Sequence, residues 1–148
     1  MKLDYMIGPI RMGGLVKEVD HDQVKVHLHG RLGVITVPRR LIIGPEKLEP
    51  GHETEFYFSY IQVMENPYEY DSSDMVTTHE IEPCLLGGKI TEVNDTAAKI
   101  AIMDGLGTIA VPRRWLFTPV ALEEGQDTEF YFSCMQVTGK REIPVESI

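Results

Sequence analysis

Apolar and polar residues alternate along much of this chain. In the stretch QVKVHLHG, Val24, Val26 and Leu28 alternate with Lys25, His27 and His29. Further on, Ala98, Ile100 and Ile102 alternate with Lys99, Ala101 and Met103. A period of two with one apolar face predicts half-buried strands. Ile35 and Val37 share a face in the next stretch, as do Ile109 and Val111. Phe56 and Phe58, and again Phe130 and Phe132, form the inward face of a later strand, leaving Tyr57 and Tyr131 outward. In GGLVKEV the apolar positions Val16 and Val19 lie three apart, as do Ile90 and Val93. That slip in phase predicts a β-bulge. Pro38 and Pro112 cannot donate to a ladder and end their strands, so residues 41–48 and 115–122 form a loop or one helical turn. No long amphipathic helix is predicted anywhere.

The same pattern is written twice. A shift of 74 residues aligns residues 13–63 with 87–137 without a gap, and about half of the positions are identical. TEFYFS recurs whole, Val37-Pro38-Arg39-Arg40 matches Val111-Pro112-Arg113-Arg114, and Leu32-Gly33 matches Leu106-Gly107. Four or five short strands per copy, with bends, predict an all-β fold: two tandem small β-barrels, SH3-like or OB-like, from an internal duplication. The expected division is a first barrel repeat over residues 1–64, an acidic connector over 65–80 and a second repeat over 81–148. Tyr68 and Tyr70 in the connector are alternatively available to pack on a barrel. A unit of about 60 residues is marginal alone, so the two barrels are expected to pack together or the chain to form a homodimer.

Composition narrows the function classes. The formal net charge of −9 argues against a broad nucleic-acid surface, which needs clustered Lys and Arg. No apolar run approaches the roughly 20 residues that span a bilayer, and the N-terminus has no continuous apolar core of a secretory signal. Cys84 and Cys134 lack metal spacing, and in the repeat they align with Ile10 and Tyr60, which marks them as apolar fillers. Two free thiols without a signal lead to the expectation of a cytoplasmic protein with no membrane partner.

The order of features resembles the Mop/TOBE family. Val16 to Val19, then Val24 to Leu28, then Leu48-Glu49-Pro50-Gly51 leading to Ser59 and Val63 carry the resemblance in the first copy. Leu122, Gly125, Ser133 and Val137 carry it in the second. Tandem proteins of that family bind molybdate, largely through backbone amides and small hydroxyls, so the resemblance implies an oxyanion ligand. The chain also looks like tandem-barrel proteins of bacterial genomes, for which the resemblance implies no activity.

Six residues are candidates for a ligand or partner site: Arg39, Arg40, Arg113, Arg114, Ser59 and Ser133. Adjacent guanidiniums repel unless a partner neutralises them, and they make good forks for carboxylate or phosphate. The plainer expectation is ion pairing with Glu18, Glu55, Glu92 and Glu129, which recur with them. Ser59 and Ser133 either hydrogen-bond a small ligand or satisfy backbone at a bulge. Tyr57 and Tyr131 either stack a base or cover strand backbone. His27 and His29 are two ligands that with His21 or His52 suit zinc, but two are too few by themselves, and the second copy has Ala101 and Met103 in their place, so a solvated His pair is the expectation. No nucleophile elbow, metalloprotease helix, Walker loop or dinucleotide fingerprint is present. The chain is therefore expected to be a non-catalytic binding or scaffold module, without cofactor or metal, for a protein partner or small acidic ligand. A Mop-like oxyanion-binding protein is the alternative.

Overall fold

The alternating segments form strands because each has one face that must leave water. The computed structural model describes residues 8–31, 33–45, 47–65, 69–70, 81–118 and 120–140. The first copy supplies β1 (Ile10–Val19), β2 (Gln23–Leu28), β3 (Val34–Pro38), β4 (Ile42–Ile43), β5 (His52–Phe58) and β6 (Ile61–Met64). The second supplies β7 (Cys84–Val93), β8 (Ala97–Ile102), β9 (Thr108–Pro112), β10 (Leu116–Phe117), β11 (Asp127–Phe132) and β12 (Met135–Lys140). The fold is all-β, as the pattern predicts. Both phase slips are bulges: the β1–β2 register shifts between Val16 and Glu18, and the β7–β8 register between Ile90 and Glu92. The turn expected after each proline begins earlier than the sequence suggests. Arg39–Leu41 and Arg113–Trp115 are single 3-10 turns, and the chain re-enters the sheet at once through β4 and β10.

All twelve strands join in one continuous sheet, ordered β10-β6-β11-β7-β8-β9-β3-β2-β1-β5-β12-β4, with β11 also meeting β5. Within each copy three hairpin-linked strands and the fifth make a meander, β5-β1-β2-β3 and β11-β7-β8-β9. The last strand of each copy crosses over. β6 pairs with β11 and β10 of the second copy, and β12 pairs with β5 and β4 of the first. At the centre, Ile35 faces Ile109 and Phe58 faces Phe132, each opposite its own equivalent in the other copy. A pseudo-twofold axis therefore passes through both pairs.

The core sits along that axis. Phe56, Phe58, Phe130 and Phe132 are fully buried. Phe58 meets Phe132 edge-on at 6.2 Å and Phe130 at 6.1 Å, and stacks on Trp115 at 5.7 Å. Edge-to-face rings of this kind add about 1 kcal/mol each beyond the area they bury. The close approach of β3 to β9 depends on Gly33 and Gly107, at φ +132° and +121°. A Cβ on Gly33 would be driven into the Ala110 carbonyl, and one on Gly107 into that of Thr36. Each glycine thus removes a side chain where the other copy's backbone passes.

Candidate functional site

Arg39 follows Pro38, whose fixed φ sends the chain out of β3 and into the 3-10 turn. The Arg39 amide donates to the Asp22 carbonyl at 2.7 Å, which ties the turn to the β1–β2 loop. Its guanidinium then reaches forward along its own chain. Nη1 donates to the Ile42 carbonyl at 3.1 Å and Nη2 to the Pro45 carbonyl at 2.8 Å. Among the described residues no carboxylate forms an ion pair with it. Carbonyls orient a guanidinium without cancelling its charge, and donors remain out of the five it carries. Arg39 is thus a half-buried, fixed cation.

That cation lines a cleft of about 630 Å³ together with Val19, Asp20, His21, Lys47 and Leu48. Lys47 lies 3.4 Å from Glu49, and its side chain is 88% exposed. An exposed pair at that distance is weak and gives way to salt or to a competing anion. Glu49 is shared: Lys140 foremost, then Lys47, hold its carboxyl below the usual range. The cleft therefore offers a rigid guanidinium, a mobile ammonium and an imidazole, opposed by Asp20.

The equivalent place in the second copy differs. Arg113 donates to the Asn94 carbonyl at 3.2 Å, and its amide to that of Thr96. Asp95 and Ala121 stand where the first copy has His21 and Lys47. Arg40 and Arg114 are exposed, and neither forms an ion pair among the described residues. The expected ion pairs of the four arginines with Glu18, Glu55, Glu92 and Glu129 are thus not made. Glu55 pairs instead with Arg11 at 2.8 Å, and Glu129 accepts from Tyr70 and Gln62. The reason is local: the turn after Pro38 offers its own carbonyls to Arg39, and the β7–β8 loop offers the Asn94 carbonyl to Arg113.

The two serines sit on the axis, not in the cleft. Ser59 Oγ donates to the Tyr60 carbonyl at 2.8 Å and accepts from the Tyr131 amide at 2.9 Å. Ser133 Oγ donates to the Cys134 carbonyl at 2.8 Å and accepts from the Tyr57 amide at 2.8 Å. Both are fully buried. Each hydroxyl has one proton, and that proton is committed to backbone.

The remaining candidates are placed as follows. Cys84 and Cys134 are buried and are not joined in a disulfide. Burial pushes the Cys134 thiol up, partly offset by the charge of Arg40. Tyr57 lies half-buried beneath the Arg11 guanidinium, 5.7 Å from its ring centre. His27 is half-buried and His29 exposed, and among the described residues no group of three or more His, Cys, Asp or Glu is placed to hold a metal. Tyr70 packs against Gly87, whereas Tyr68 and most of the connector lie outside the described residues. Sequence reasoning missed Lys47, and it weighed His21 only for zinc and not beside Arg39. Their signal was a difference between copies, whereas the candidates were chosen for identity.

No family model matches the chain, and no curated protein gives a significant match. Among solved structures, the cytoplasmic molybdate-binding protein ModG, in a crystal form with molybdate bound, matches at 20% identity. The match covers 87% of this chain and 96% of that one, with a TM-score of 0.29. At this level of likeness, the reading of the site rests on the geometry of this chain alone. No helix among the described residues is long and apolar enough to cross a membrane.

Proposed function

We propose that the protein is a non-catalytic, cytoplasmic binding module for a small anion, a carboxylate or a tetrahedral oxyanion, held in the Arg39 cleft. The observation that carries this reading is the Arg39 guanidinium, pinned by the Ile42 and Pro45 carbonyls and joined to no carboxylate among the described residues. A charged donor fixed before the ligand arrives loses little entropy on binding. Lys47 adds charge and His21 a ring nitrogen around the same space. Molybdate belongs in the ligand panel because ModG is described as binding it. Ser59 and Ser133 couple the halves in this reading and do not touch ligand.

The test is a titration of molybdate, tungstate, sulfate, phosphate and citrate into the protein, followed by calorimetry and thermal unfolding. The expected result is binding of one anion per chain, because the second copy lacks His21 and Lys47. A ligand at 100 times its Kd raises stability by about 2.7 kcal/mol, which a thermal shift resolves readily. Arg39→Ala abolishes the effect and Arg113→Ala leaves it. A flat response across the panel at millimolar anion, or equal loss from both variants, refutes the assignment.

A second reading is supported by Arg40 and Arg114, which are exposed on both copies without an ion pair among the described residues. They suit an acidic segment of a protein partner. Capture of a partner that is lost with Arg40→Ala plus Arg114→Ala, but kept with Arg39→Ala, favours that reading over the first.

A further inference from the structure

A second cavity lies on the opposite copy and has different chemistry. Its volume is about 380 Å³, within the range of small-molecule sites. Its walls are the outer faces of β11, β7 and β8, with Asp127, Gly87, Lys89, Ala101 and Met103, and the connector residue Tyr70. Tyr70 stands over Gly87 so closely that a Cβ there would enter its ring. The Gly87 amide donates to Met103 Sδ at 3.3 Å. An aromatic ring, a thioether, a methyl and bare backbone make a surface for a flat or apolar body.

The first copy fills the equivalent place with a different side chain. There the His29 ring lies against Gly13, where the second copy places Met103 near Gly87. Ala101 likewise replaces His27. The hollow is a product of divergence between the copies.

Its charge is also a product of divergence. In the first copy Glu55 is answered by Arg11 at 2.8 Å. The equivalent Glu129 is buried, and Leu85 stands at the arginine position. Glu129 Oε1 accepts from the Tyr70 hydroxyl at 3.0 Å and Oε2 from Gln62 Nε2 at 3.3 Å, both neutral donors. Gln62 is itself buried, and its Oε1 has no partner among the described residues. Asp127 is held by Lys89 at 3.8 Å, a loose exposed pair. Asp127 and Lys89 thus line an apolar hollow roofed by a tyrosine ring, and the buried Glu129 lies behind that roof, bonded to the Tyr70 hydroxyl. Such a site attracts positive charge, through the acids and through the ring face.

We propose that this cavity is a binding site for a small organic cation: an amine or quaternary ammonium with a flat or apolar body. The body lies between Tyr70 and Met103, and its charged group competes with Lys89 for Asp127 beside Glu129. This site shares no residue with the Arg39 cleft, so either stands without the other.

The experiment uses full-length protein with ¹³C-methyl methionine, the Met103 signal being assigned with Met103→Leu. Three probes of similar size are titrated: phenethylamine, 2-phenylethanol and phenylacetate. The expected result is a saturable shift of the Met103 methyl with phenethylamine, at least tenfold weaker binding of the alcohol, and none of the acid. Glu129→Gln brings the amine down to the level of the alcohol, and Ala101→Phe fills the hollow and removes both. Thermal unfolding of each variant reports whether it is folded. If Ala101→Phe does not fold, Glu129→Gln alone decides. Equal binding of amine and alcohol, preference for the acid, or no Met103 shift with any probe at ten millimolar overturns the proposal.

Discussion

Replacing Ser59 by alanine tests whether the two halves are locked by their serines. The substitution removes both hydrogen bonds of the Ser59 hydroxyl, to the Tyr60 carbonyl and from the Tyr131 amide. The site is fully buried, so water does not take over. A buried donor left without a partner costs about 1–3 kcal/mol, and the lost bond to the carbonyl adds about 0.5–1 kcal/mol. We therefore expect a loss of about 2–3 kcal/mol for Ser59→Ala, and the same for Ser133→Ala by symmetry. With an unfolding entropy of about 2.1 cal/mol/K per residue, a 148-residue chain loses about 3 °C for each kcal/mol. The expected drop in Tm is thus about 6–10 °C per serine. The assay is urea unfolding followed by fluorescence of Trp115, the single tryptophan, which stacks on Phe58 at the axis. Anion affinity should not change in either variant. A loss below about 0.5 kcal/mol, the level of an ordinary surface substitution, refutes the coupling role. So does loss of anion binding at unchanged stability.

Gly33→Ala or Gly107→Ala should cost more than about 3 kcal/mol, since left-handed strain adds to a collision with the other copy's backbone; soluble yield and urea midpoint check this. The His27 imidazolium is disfavoured foremost by burial and then by Lys17 and Lys25, so its folded pKa lies below the reference 6.5. The unfolded chain then binds more protons, and the stability His27 contributes is present above 6.5 and lost as pH falls from there through the folded pKa. His27→Ala, the residue type found at position 101, should flatten that part of the urea midpoint against pH profile. Cys134, with its thiol pushed up by burial, should resist alkylation at pH 8 in the native protein and react at the rate of a model thiol once unfolded; rapid native labelling by mass spectrometry would contradict this.

Much of the fold was legible because burial writes a period of two. The β2 and β8 alternation, the bulges near Val16 and Ile90, and the inward phenylalanines all follow from which face must leave water. The crossing of β6 and β12 was not legible. TEFYFS is the same in both copies, so the pattern that fits Phe58 beside its own barrel fits it equally beside the other. Ser59 and Ser133 accept from Tyr131 and Tyr57 of the other copy, and hydrophobicity does not encode which copy they meet. The arginine pairs were legible as a site but not in their partners. Recurring glutamates suggested ion pairs, while Pro38 turns the chain so that its own carbonyls arrive first.

The comparison of the two copies separates structure from specificity more sharply than identity alone suggests. The matched positions that interlock the halves lie on the axis and in the core: Gly33 with Gly107, Ser59 with Ser133, Phe58 with Phe132. They keep two halves interlocked, and a change in one copy is not compensated by the other. Positions that disagree line the two hollows: Lys47 against Ala121 and His21 against Asp95 at one, His29 against Met103 and Arg11 against Leu85 at or beside the other. A symmetric frame needs its matched residues for stability, and only its unmatched residues are free to give each half a different surface. One copy has gathered cations around a fixed guanidinium, and the other has kept a buried acid while losing its arginine. The duplication thus supplies a body stable enough to let each copy's face diverge, and the proposed anion and cation sites lie where it has diverged.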